Sequence, residues 1–113
     1  MNARDQRSEA RVSYPRPSKS GFLFGADALD VLDLSERGFR FLASSAAVLV
    51  DVGQRLCGIV CLRHGETVAV SGTVVRILGR EVAVQSDEIP IPFELILAER
   101  LFLETGRTGL VLT

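Results

Sequence analysis

The chain has 113 residues, 47% of them hydrophobic and 24% charged, with a formal net charge of -1. These figures describe one ordinary domain with a single core, large enough to fold without disulfides or a structural metal. They exclude a strongly basic binder of bulk nucleic acid, and no apolar run approaches the roughly 20 residues that a membrane-spanning helix requires, so no membrane insertion is expected.

Residues 1–20 hold Arg4, Arg7, Arg11, Arg16 and Lys19 against Asp5 and Glu9, a local charge of five minus two, or +3, which leaves -4 for the rest of the chain. This stretch lacks apolar periodicity, and Tyr14-Pro15-Arg16-Pro17 disfavours helix. A flexible basic arm is expected here. It has no apolar core of the kind a secretory signal carries, so a cytoplasmic location is the default expectation. Residues 21–113 are expected to form the folded domain.

From residue 21 onward, short runs of Val, Leu, Ile and Phe alternate with turn residues, the texture of an all-β domain. Strands are expected over 21–24, 28–33, 38–42, 55–63, 67–78 and 81–85. The connections His64-Gly65-Glu66 and Gly79-Arg80 are short enough that the strands they join should pair as antiparallel hairpins. Residues 43–53 read equally as helix or strand. After Gln85 the period changes. Phe93, Ile96, Leu97 and Leu101 fall at i, i+3, i+4 and i+8, which predicts a helix over about 92–104, with Pro92 in its first turn and Gly106 just past its end. Leu95, Phe102 and Leu103 widen the apolar face. The helix should therefore pack on the β core, with any surplus apolar surface left for a protein partner.

Signatures of catalysis are missing. The sequence contains no Gly-rich phosphate loop leading into a helix, no His-Glu-x-x-His, no zinc-spaced cysteine pair and no nucleophile elbow, so neither an enzyme nor a cofactor is expected. Cys57 and Cys61 lie four positions apart in a predicted strand, about 13 Å in extended chain, so they should be two reduced and mostly buried thiols. His64, the single histidine, reads as a solvated turn residue.

Two patterns carry chemistry. In Arg7-Ser8-Glu9-Ala10-Arg11, two guanidiniums can grip phosphate oxygens bidentately, and the same planar fork matches the O6 and N7 acceptors of guanine. In Asp33-Leu34-Ser35-Glu36-Arg37-Gly38, the alternation of an extended strand puts Asp33 and Ser35 on one side, presenting a carboxylate and a hydroxyl together. Asp33 can accept guanine N–H groups. Gly38 permits a tight connection or the approach of a ligand to the main chain.

An Arg-x-x-x-Arg in an N-terminal arm, followed by Asp-x-Ser-x-x-Gly in a small β domain, resembles the PilZ domain family. Arg7 and Arg11, followed by the apolar Val12, match the first motif; Asp33, Ser35 and Gly38 match the second at its three defining positions. Arg11 and Arg16 form a wider pair, but the spacing and Val12 favour Arg7 with Arg11. The resemblance implies a six-stranded antiparallel β-barrel with a C-terminal helix packed on it, binding the second messenger cyclic di-GMP on its outer surface. Arg7 and Arg11 would then contact phosphates and guanine Hoogsteen edges, Asp33 a guanine, and Ser35 a hydrogen bond nearby, while Gly38 keeps the surface open. Many members carry a further arginine where this chain has Gln6, which implies one bound nucleotide here rather than an intercalated pair. The implied output is an arm that closes over the nucleotide and presents a new surface to a protein effector. A nucleotide-independent interaction module, as in pilus assembly, is the alternative. A barrel binding single-stranded nucleic acid is disfavoured, because one Tyr and no Trp offer few stacking platforms.

Overall fold

The computed structural model describes residues 11–15, 20–43, 50–87 and 89–106. Among them are seven strands, β1 (Arg11–Ser13), β2 (Ser20–Phe24), β3 (Asp27–Ser35), β4 (Gly38–Leu42), β5 (Arg55–Cys61), β6 (Thr67–Leu78) and β7 (Glu81–Ser86), and one helix, α1 (Phe93–Thr105). All strand pairings are antiparallel. β2, β3, β4, β7, β6 and β5 pair in that order and β5 returns to β2, which closes a six-stranded barrel. Closure leaves these strands no long open edge.

β1 is the departure from expectation, since residues 11–13 fall in the segment read as a flexible arm. They pair with Ser35–Asp33, on the edge of β3 that β2 leaves free beyond Val31. Two apolar anchors account for this. Val12 is 2% exposed and Tyr14 8%, both inside the core cluster, while Arg11 and Ser13 face outward. Of the ambiguous residues 43–53, 44–49 lie outside the described residues; Gly53 and Gln54 exchange main-chain bonds with Val74.

The barrel interior is built by period-2 alternation. Phe22 is its centre, with the rings of Phe39 and Phe41 at 4.9 and 5.1 Å between centroids, the first edge-on. In β5 the inward residues are Leu56 and Val60, so Arg55, Cys57 and Ile59 face out. Cys57 is accordingly exposed and Cys61 half-buried, not mostly buried as expected, and no disulfide joins them. The residue type points inward, but the strand's alternation, bracketed by Arg55 and Arg63, decides the face.

α1 begins at Pro92, whose carbonyl accepts the Leu95 and Ile96 amides, and ends at Gly106, which takes a left-handed conformation (φ 77°) and returns its N–H to the Phe102 carbonyl. It packs on β1 and β3. The packed face is only part of the predicted one. Leu95, Ile96, Glu99 and Leu103 face the barrel, whereas Phe93, Leu97 and Leu101 form an i, i+4, i+8 row that is 38%, 43% and 41% exposed. A count of apolar positions passes over Glu99, which sits at the middle of the buried face. No helix among the described residues is long and apolar enough to cross a membrane.

Glu99 is fully buried. Its Oε2 accepts the Tyr14 hydroxyl at 2.6 Å and the Arg63 amide at 2.7 Å; its Oε1 accepts the His64 amide at 3.0 Å and His64 Nδ1 at 2.7 Å. The expected solvated turn histidine is thus a buried partner, its side chain 8% exposed. Burial alone would push the Glu99 carboxyl up, but the bonds from Tyr14, His64 and the two amides outweigh it and hold the group below its ordinary value of 4.5.

Because the folded-state value is depressed, the stabilisation by ionised Glu99 is complete above the ordinary glutamate pKa. It is lost as pH falls through the depressed value. Glu99→Gln would turn an NH2 toward a main-chain donor and should cost about 2–4 kcal/mol at neutral pH. Denaturant melts at pH 7 and down through pH 4 check both effects, with the variant's stability falling less steeply in acid than the parent's.

Candidate functional site

The site begins with one extra residue in a strand. Leu29 and Val31 point into the core, so strict alternation would send Asp33 and Ser35 inward too. Instead the β3–β4 register shifts between Val31 and Asp33, a bulge at Leu32. Beyond it Leu34 takes the core position, fully buried, and Asp33 and Ser35 emerge on the outer face. The Leu32 carbonyl accepts the Tyr14 amide at 3.0 Å. A second bulge, between Val74 and Arg76 on β6, turns Arg76 outward in the same way.

With these facings set, the register assembles the site in two rows across the barrel wall. Ser13, Asp33, Arg40, Ala83 and Arg76 are successive cross-strand partners; in the neighbouring row lie Arg11, Ser35, Gly38, Gln85 and Thr73. Small Ala83 between the two arginines leaves an open cleft of about 330 Å³, lined by Arg11, Asp33, Ser35, Arg37, Gly38, Arg40 and Arg76 among others. Four guanidiniums face one carboxylate there. Arg37 and Arg76 make no ion pair among the described residues, so the cleft carries uncompensated positive charge.

Asp33 is 3% exposed and only half satisfied. Its Oδ2 accepts a hydrogen bond from Arg40 Nε at 2.8 Å and has Nη2 of the same guanidinium at 2.6 Å in an ion pair, while Arg40 Nη1 reaches Glu81 Oε1 at 3.0 Å. The bond to Asp33 raises the Arg40 pKa further, with burial opposing and the charges of Asp33 and Glu81 adding to it, so this residue is a permanent cation. Asp33 Oδ1 has Arg11 Nη1 at 3.3 Å but no hydrogen bond. A buried carboxylate oxygen without a donor is rare and costly, and it marks a place where a donor is wanted.

Ser35 and Gly38 shape the turn between β3 and β4. Ser35 Oγ accepts the Arg37 amide at 3.3 Å and donates to the Gly38 carbonyl at 3.4 Å, both long and readily exchanged. Gly38 lies against β7, where a Cβ would overlap the Val84 carbonyl oxygen and come within 3.1 Å of Gln85 Cα. Its lack of a side chain therefore lets the barrel close beneath the cleft.

Of the residues singled out by motif, the fold brings Arg11, Asp33, Ser35 and Gly38 to one cleft; Arg7 lies outside the described residues. Motif reading missed Arg37, Arg40 and Arg76. Arg40 was in reach, because it sits one alternation beyond Gly38, but the partnership with Asp33 needs the register and Arg76 needs the β6 bulge. Among the described residues no group of three His, Cys, Asp or Glu side chains is placed to hold a metal ion. Neither a model of a known protein family nor a curated protein matches the chain.

Gly38→Ala should open the β4–β7 seam and cost about 3 kcal/mol, lowering Tm by roughly 10–20 °C. Thermal unfolding followed by circular dichroism measures this. A variant as stable as the parent would show that β7 can yield at Val84.

Proposed function

We propose that the chain is a receptor for cyclic di-GMP, acting as a PilZ-type domain, and that the cleft between β1, β3, β4 and β6 is its binding site. One observation carries the reading: a buried carboxylate with one oxygen left without a hydrogen bond, at the base of a cleft rich in arginine. A ligand that suits both features must bring N–H donors and anionic oxygens together. Guanine offers N1–H and N2–H to a carboxylate, and two phosphodiesters supply the negative charge. Arg11, with Arg7 from the arm, grips phosphate and the guanine O6/N7 edge, and Arg37 and Arg76 add cations around the phosphates. Ser35 supplies a hydroxyl beside the base. No covalent bond is made or broken.

The arm is the moving part in this reading. Arg11 leads into Tyr14, which is bonded to Glu99 on α1, so a nucleotide that draws the arm over the cleft pulls on a helix whose outer row, Phe93, Leu97 and Leu101, faces solvent. That row also supports a second reading, a protein-interaction module that needs no nucleotide.

Isothermal titration of the purified chain with cyclic di-GMP, against cyclic di-AMP, separates the two. The receptor predicts guanine-selective binding, weakened in Arg11→Ala and in Asp33→Ala by roughly 1–3 kcal/mol each, the worth of one good guanine contact. Binding unchanged in both variants removes the site assignment. A folded chain that binds neither nucleotide leaves the interaction module.

A further inference from the structure

We propose that Arg40 is a positioning residue for this site: it keeps Asp33 paired and oriented while Arg11 exchanges from Asp33 to the nucleotide. The inference rests on the receptor reading above and adds a division of labour between two arginines that touch the same carboxylate.

The two contacts differ in number, distance and alignment. Arg40 gives Oδ2 a hydrogen bond from Nε at 2.8 Å and an ion-pair contact from Nη2 at 2.6 Å, and its remaining terminal nitrogen is held by Glu81 at 3.0 Å. All three guanidinium nitrogens are committed to protein carboxylates. Arg11 makes one approach to Oδ1, at 3.3 Å and without hydrogen-bond alignment, and its side chain is 48% exposed. Exposed and poorly aligned ion pairs are worth little, whereas paired short bonds to a buried carboxylate are hard to break. Arg11 is therefore the partner that leaves.

Its departure has a cost that decides the role of Arg40. Arg11 covers Oδ1, whose surface is closed to solvent, so a guanine N–H reaches that oxygen only when the guanidinium moves aside. At that moment Asp33 would be a buried carboxylate without a counter-charge, and removing the sole partner of a buried charge is strongly unfavourable. Arg40 prevents this. By occupying Oδ2 throughout, it also restricts the base to Oδ1 and so sets the angle at which guanine enters. Arg11, once released, carries its full charge to phosphate or to the O6/N7 edge. The pair on Asp33 in the free protein is thus a placeholder for the base.

The test is a double-mutant cycle read by cyclic di-GMP titration on four proteins: the parent, Arg40→Met, Asp33→Asn and the two together. Arg40→Met retains the aliphatic stem and removes every hydrogen bond. It should weaken binding by about 10-fold or more, on the scale of one lost guanine contact. Because Arg40 acts through Asp33, the same change in the Asp33→Asn background should weaken binding by less than about 2-fold, well inside the coupling expected of directly interacting residues. Equal losses in both backgrounds overturn the proposal, since they mean that Arg40 meets the nucleotide itself or acts only on the barrel. No loss in Arg40→Met also overturns it. If that variant does not fold, Arg40→Lys takes its place in the cycle, keeping the charge but donating from a single point. A parent protein that binds no cyclic di-GMP defeats the receptor reading, an outcome distinct from additive losses in a parent that does bind.

Discussion

The bulge at Leu32 is the constraint on which the outer face of this barrel depends. One additional residue in β3 reverses which side chains look inward, and it does so at the last point where the exchange is possible before the turn. Without it, Leu34 would lie in solvent and Asp33 would be driven into a core of Phe22, Phe39 and Phe41, where a carboxylate has no donors. With it, Val12 of β1 meets Leu34 on the inside, and Asp33 meets Arg40 on the outside. On the other edge of β3 the carbonyl of the same Leu32 accepts the Tyr14 amide of the arm. Local irregularity, arm attachment and site geometry are therefore one feature.

Two buried carboxylates among the described residues are satisfied in opposite ways. Glu99 has four donors, two of them main-chain amides of the β5–β6 turn, and is saturated. It joins the helix, the turn and the arm, and no lone pair is left for anything from outside. Asp33 has one oxygen hydrogen-bonded to Arg40 and the other, beside Arg11, without a hydrogen bond. Satisfied polar groups in a core specify a structure; an unsatisfied one beside a cleft is a request for a ligand. That contrast, more than the identity of the residues, separates the fastening from the candidate site.

Much of the fold is legible in the sequence because period-2 runs of Val, Ile, Leu and Phe, punctuated by His64-Gly65-Glu66 and Gly79-Arg80, leave little choice of strand or of hairpin. The limits of α1 follow as directly from Pro92 and Gly106. What escapes is whatever depends on tertiary pairing. β1 has only three residues, too short an alternation to announce a strand, and Val12 and Tyr14 become anchors only when β3 offers an unpaired edge. His64 lacks any sequence neighbour to bond with, as its partner is 35 residues away on the helix. Glu99 breaks the apolar count of the face it centres, which adds the exposed Phe93, Leu97 and Leu101 to the buried Ile96 in the expected stripe. At the site, Arg7, Arg11, Asp33, Ser35 and Gly38 stand out as residue types at a spacing, while Arg40 and Arg76 become visible only through the register and a bulge.

The bond between Tyr14 and Glu99 has an optical consequence. The chain contains one tyrosine and no tryptophan, so its phenol emission comes from a single side chain. That side chain lies three residues after Arg11, at the root of the arm, with its hydroxyl on a buried carboxylate. Phenol emission is quenched by such an acceptor and recovers when the bond lengthens. The protein thus carries its own reporter at the joint between arm and helix, and unlabelled material suffices to watch that joint in real time.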